Sequence, residues 1–330
     1  MMSPATKGIV GLAWLGVAAH VVVSLVWSGG SAQPTAEAMV VGVVMFVLTL
    51  LFCVVMPERR VLLEQPCLFV PTGCALGSQA LIGAPYWAMI ATGEAWWGHL
   101  ATGTALTDAF CAQLAGSLLV WTLHAAWLTP MIVRVVRGER AADVLVPSLR
   151  GAPALLWRTF GLLVFACAPL LLFVPFLAPG ASAHAVIAMM LVLFVATPLW
   201  NGLTATLLLR ALDPVRKDWL GVASAMVLSW RQRRGWQGVL FAQLTLLGFV
   251  VILPSQIKVQ MLWFGSYEAD NRWYAVAARD GRGWPGFGAL LELAGIVLAI
   301  AIKLRIARCI ETARAPGASL AHPLAVADRR

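Results

Sequence analysis

Charged side chains are scarce in this sequence: Asp, Glu, Lys and Arg make up only 12% of its 330 residues. A soluble globular domain carries about 25%. So few charges cannot cover a water-facing surface, which excludes a soluble protein of this size. Period-two alternation is missing too. Runs such as "AVIAMMLVLFVATPLW" (185–200) are apolar throughout, which excludes the alternating strands of an outer-membrane barrel. No C-x-x-C pair occurs among Cys53, Cys67, Cys74, Cys111, Cys167 and Cys309. Most of these fall inside apolar runs and are expected as packing residues, not as disulfides or metal ligands. There is no phosphate loop, no Ser/His/Asp spacing, no H-E-x-x-H and no pair of intramembrane carboxylates, so no catalytic residue, metal or cofactor is predicted.

What is present is hydrophobic length. Apolar residues reach 60% and the mean hydropathy is +0.83. A spanning helix needs about 20 mostly apolar residues. Seven runs meet that need, at about 8–27, 38–56, 108–133, 160–179, 185–209, 237–256 and 286–304. The stretch 66–91 is broken by Gly and Pro, and hydropathy alone leaves it open.

Charge placement decides it. Arg59 and Arg60 follow the second run, and Arg134, Arg137 and Arg140 follow the run ending near 133. Positive charge marks the cytoplasmic side, so the chain must cross twice between these points and 66–91 becomes a span. The fold class expected is all-α, a polytopic bundle of about eight transmembrane helices in four hairpins, with both termini cytoplasmic. Of the 24 Lys and Arg residues, only Lys258, Arg272, Arg279 and Arg282 then lie outside. The outer connections 28–37, 92–107 and 180–184 carry none. The bacterial inner membrane is the expected location. A competing reading takes the N-terminus as a signal peptide, with small residues near Ala32; its apolar core exceeds the usual 7–15 residues, about, which favours a retained helix.

Two cytoplasmic connections share a pattern, "ADVLVPSLRGAPALLWRTFGLLVFA" (142–166) and "KDWLGVASAMVLSWRQRRGWQGVLFA" (217–242). Each opens on an Asp able to cap a helix, Asp143 or Asp218. Each reaches a Trp-Arg pair and then a Gly before the next span. In the second, Trp219, Val222, Met226 and Trp230 repeat at three- and four-residue steps, one face of a helix. Amphipathic interfacial helices are therefore expected at about 142–157 and 218–234, with Trp at headgroup level and Arg toward phosphate. Pro147 and Pro153 predict a bent or short first helix. Arg231, Arg233 and Arg234, with Arg137 and Arg140, are candidate contacts to anionic lipid or to a partner; their simplest role is to fix topology. The segment "VVRGERAADVLVPSLRGAPALLWRTFGLLVF" (135–165) resembles the loop of the multi-span membrane domain associated with glycerophosphodiester phosphodiesterases and of related stand-alone bacterial inner-membrane proteins. The shared pattern is a basic R-G-E/D turn, an amphipathic stretch and the next hairpin. The resemblance implies an architecture only, because Leu304 to Arg330 is too short for a catalytic domain.

Polar groups inside spans are the default places to look for chemistry. Glu292 is the one carboxylate well within a predicted span, roughly 10 Å below the outer surface at about 1.5 Å per residue. It is the candidate coupling residue of a transporter, against an ordinary carboxylate reaching water or Arg282. His20 and His124 raise haem ligation, but the spans hold no second His pair, and structural hydrogen bonding is expected instead. The outer loop 257–285 offers Trp263, Tyr267, Trp273 and Trp284 as partner contacts or interface anchors. The leading expectation is a non-enzymatic integral membrane protein, a subunit or organiser of a membrane assembly or lipid environment. Its partners would be membrane lipids, anionic on the cytoplasmic face, and other membrane subunits, with no nucleic acid despite the +9 charge. The alternative is a secondary transporter built from parallel hairpin repeats, and a lipid-acting enzyme comes third.

Overall fold

The structure is a computed structural model that describes residues 3–28, 58–91, 104–167, 202–214 and 287–312, with a few isolated positions besides. Every regular element among these residues is helical. In chain order they are α1 (Pro4–Ser28), α2 (Arg59–Glu64), a 3-10 turn (Pro66–Phe69), α3 (Val70–Ala91), α4 (Thr104–Val136), α5 (Ala141–Cys167), α6 (Gly202–Ala211) and α7 (Phe287–Thr312). Two of the described helices are long and apolar enough to cross a membrane, Pro4–Val23 in α1 and Ala115–Val136 in α4. The predicted runs 38–56, 160–179, 185–209 and 237–256 fall wholly or partly outside the described residues.

Small residues govern how α1 meets α3. Ala13 and Gly16 face Gly73 and Gly77, and a Cβ added at Gly16 would strike the Gly73 carbonyl. Membrane helices associate through such contacts, because without a hydrophobic drive between them close backbone approach supplies the packing energy. The paired positions ascend together, 13 with 73 and 16 with 77, so α1 and α3 run parallel. Pairings between α3 and α4 run the other way: Thr72 Oγ1 lies 3.0 Å from His124 Nε2, and Ser117 Oγ donates to Gln79 Oε1 at 2.9 Å. Such bonds across helices contribute about 0.6 kcal/mol on average in a bilayer. Helices α5 and α6 are also antiparallel, with Trp200 Nε1 donating to the Ala166 carbonyl and Arg158 to that of Ala211. Helix α7 ends beside the end of α4, where Glu311 in its last turn reaches Arg137.

The main core forms where α3, α4, α5 and α7 converge, around Leu68, Leu128, Met131, Ile132, Leu145 and Leu304. Three buried hydroxyls are satisfied within their own helices: Thr122, Thr159 and Thr206 donate to the carbonyls four residues back. Those of Thr129 and Ser148 are buried without a hydrogen-bond partner. Large apolar side chains are nevertheless open on the outer faces, including Trp14 at 71%, Leu15 at 68% and Leu81 at 75% exposure.

One expectation needs correction. The interfacial helix expected at 142–157 neither ends nor is short: α5 continues through it into the next apolar run as a single helix of 27 residues. Pro147 and Pro153 both sit on its exposed side. Its buried side, Ala141, Val144, Leu145, Ser148, Ala152 and Thr159, recurs at three- and four-residue steps. Tertiary packing along that stripe outweighs the two hydrogen bonds that proline removes. Trp127 of α4 holds the same helix, its Nε1 donating to the Leu145 carbonyl at 2.9 Å. The second interfacial helix, 218–234, lies outside the described residues apart from the helical positions 223–224.

Candidate functional site

The turn between α4 and α5 organises the charged end of the bundle. Helix α4 stops at Gly138, whose φ of 96° only glycine adopts without strain. Its N–H bonds the Val135 carbonyl and that of Glu139 bonds Arg134, the reciprocal pair of a Schellman cap. This cap aims Arg134 and Arg137 in different directions. Arg134 turns back on Glu139, making a bidentate contact at 2.6 to 3.0 Å. Arg137 reaches across the bundle to Asp213 at 2.9 and 2.5 Å and to Glu311 at 2.9 Å.

Three segments distant in sequence therefore meet on one guanidinium: the α4–α5 turn, Asp213 two residues beyond α6 and the last turn of α7. The Asp213 side chain is 1% exposed, so its charge needs compensation inside the bundle, to which Arg137 contributes. Nearby, Glu58 lies 3.8 Å from Arg308, joining the start of α2 to α7. Gln65 Oε1 accepts from the Ala141 N–H at 2.9 Å, which caps α5 from a neighbouring element. In this way the cluster ties together α2, α4, α5, α6 and α7 at one end.

Protonation states follow from these contacts. Hydrogen bonding to Asp213 holds Arg137 above its already high value, so it stays charged at any working pH. Burial pushes the Cys309 thiol up, and the Glu58 carboxylate adds to this while Arg305 opposes it, so the thiol stays protonated. Hydrogen bonding to Arg134 lowers the pKa of Glu139. A depressed carboxylate stabilises the fold fully above its unfolded value of about 4.3 and loses that contribution as pH falls through the folded value. The Glu139 side chain is 43% exposed, so solvent limits the pair to about 1 kcal/mol or less. The expected result is a small gap in unfolding midpoint between wild type and Glu139→Gln at neutral pH, closing once the pH falls well below about 4. Thermal melts in detergent across that range measure it.

Of the sequence candidates, Arg137 has its guanidinium committed to Asp213 and Glu311. Arg140 is exposed, 4.0 Å from Asp143. Arg231, Arg233, Arg234, Trp263, Tyr267, Trp273 and Trp284 lie outside the described residues, and Glu292 is placed on α7 by its backbone alone. His124 uses Nε2 on Thr72 and meets Trp121 edge-on at 5.1 Å. Among the described residues no group of three His, Cys, Asp or Glu could hold a metal ion. Asp213, Glu311, Glu58 and Gln65 are not among the residues the sequence singles out, where the acids weighed in the connections are the cap candidates Asp143 and Asp218. Their signal was present in acids placed beside arginines at the ends of apolar runs. No protein family, curated protein or solved structure matches the chain.

Proposed function

We propose that the chain is a multi-pass protein of the bacterial inner membrane, with about eight helices in four hairpins and both termini cytoplasmic, acting as a subunit or organiser of a membrane assembly. The observation that carries this reading is the direction of the described helices. Helices α1, α3 and α5 begin at the charged end, whereas α4, α6 and α7 finish there, as the pairings at 13/73, 72/124, 166/200 and 137/311 require. Ser28 and Glu58 accordingly mark opposite ends of the bundle, and so do Asp213 and Phe287. One further crossing in each interval meets that geometry, and the apolar runs 38–56 and 237–256 lie there. The open apolar faces of α1, α3 and α4 fit a lipid or protein surround, since a water-facing monomer rarely exposes broad apolar patches. The family resemblance of segment 135–165 agrees with this architecture.

A structural role, in preference to a transport one, rests on how the polar groups are used. At the charged end they cross-link helices, Arg137 to Asp213 and Glu311, and Gln65 to the start of α5. The test is native mass spectrometry of the tagged chain extracted gently from its own membrane. Other protein chains at fixed stoichiometry are the expected result. A lone chain contradicts the subunit role and favours the transporter, with Glu292 as its coupling carboxylate.

A further inference from the structure

The outer stripe of α5 changes character along its length. From its start it presents Asp143, Pro147 and Arg150, and then Ala154, Trp157, Gly161 and Val164, all exposed. These positions recur at three- and four-residue steps, so they share one face. Trp157 is 84% exposed and stacks on Phe160 at 5.8 Å, with nothing of the bundle over its outer side. Arg158 lies beside it and donates to the Ala211 carbonyl with one nitrogen. Between Arg150 and Trp157 the exposed positions are Gly151, Pro153 and Ala154, whose short side chains leave both larger groups uncovered.

We infer that this face binds the headgroup of an anionic phospholipid, with Arg150 on the phosphate and Trp157 against the glycerol and upper acyl chain. The inference rests on the membrane reading above and adds to it a place and a lipid class. Arg150 and Trp157 are seven residues apart, about 10 Å along a helix, a span that fits a headgroup layer between water and hydrocarbon. Arginine pairs with phosphate through two parallel N–H bonds, and a tryptophan ring settles at the boundary below it. Selection for net negative lipid follows from local charge. The nearest acid on the stripe, Asp143, is about 10 Å further out and faces Arg140. No other carboxylate of the stripe opposes Arg150.

The probe is the full chain reconstituted in vesicles of equal phosphatidylglycerol and phosphatidylcholine, then ejected from detergent for native mass spectrometry of retained lipid. Wild type is expected to retain phosphatidylglycerol preferentially. Arg150→Gln lowers that preference about fivefold, the effect of one headgroup-level charge, and Arg150→Lys restores most of it. Arg140→Gln removes an equal charge about 15 Å earlier along the chain, beyond a Debye length of about 8 Å, and changes it less. Equal retention by wild type and Arg150→Gln overturns the site, and so does an equal drop in Arg140→Gln. Carbonate extraction of the same preparations separates the two claims. A wild-type chain stripped from membranes overturns the membrane reading and the site together. A chain that stays in the membrane without lipid preference overturns the site alone.

Discussion

Gly77→Leu is expected to separate α1 from α3 and to cost about 3 kcal/mol or more, the upper range for overpacking. The reason is where the new side chain must go. A Cβ at position 77 already lies 2.5 Å from the Gly16 Cα, against backbone instead of a flexible side chain that might move aside. Leucine adds three more carbons to a contact that cannot admit one. The exposed face of α1 carries Leu12, Trp14 and Leu15, and among its described side chains the well-buried positions are Thr6, Ala13 and Gly16, with Ile9 and Val10 partly buried against the core. Loss of the glycine contact therefore frees most of the helix. Unfolding in detergent measures the cost, and a disulfide engineered between α1 and α3 reports separation directly. Gly161→Leu is the matched control, because a Cβ there meets nothing within 4 Å. Equal stability of the two variants would contradict the packing account.

The second large effect is at Arg137. Arg137→Met is expected to destabilise the chain by about 3–5 kcal/mol, the loss seen when one partner of a buried pair is removed. Most of that is the cost of removing the bidentate partner of the Asp213 carboxylate, which is 1% exposed. Glu311 contributes less, being 28% exposed and able to turn to water. Adding Asp213→Asn to Arg137→Met should therefore recover most of the loss, whereas adding Glu311→Gln should recover little. A double-mutant cycle by denaturant unfolding gives these terms. If Arg137→Met alone were neutral, the cluster would be an ordinary surface ion pair.

The helical class is legible in the sequence because long uncharged runs leave the backbone no other way to satisfy its polar groups in an apolar setting. Helices α1, α3, α4 and α7 lie where runs 8–27, 66–91, 108–133 and 286–304 place them. Continuity of α5 is not legible, because Pro147 and Pro153 argue locally for a break and only the buried stripe on the opposite side explains why none occurs. The charged cluster is half legible. Arg137 announces itself in the R-G-E turn, but its partners lie 76 and 174 residues away. A single sequence carries no sign of which distant acid meets which arginine. The same holds for Gly16 and Gly77, two unremarkable glycines until α1 and α3 are set side by side.

The central claim is the direction of the helices across a membrane, and accessibility of single cysteines tests it most directly. In a background with the six native cysteines replaced, one cysteine is placed at Arg140, beside the charged cluster, and another at Tyr267, in the segment 257–285 proposed to lie outside. A membrane-impermeant maleimide is applied to intact spheroplasts and again after lysis. The account predicts labelling of position 267 from outside and of position 140 only after lysis. Labelling of position 140 in intact spheroplasts, or of both positions alike, would contradict it.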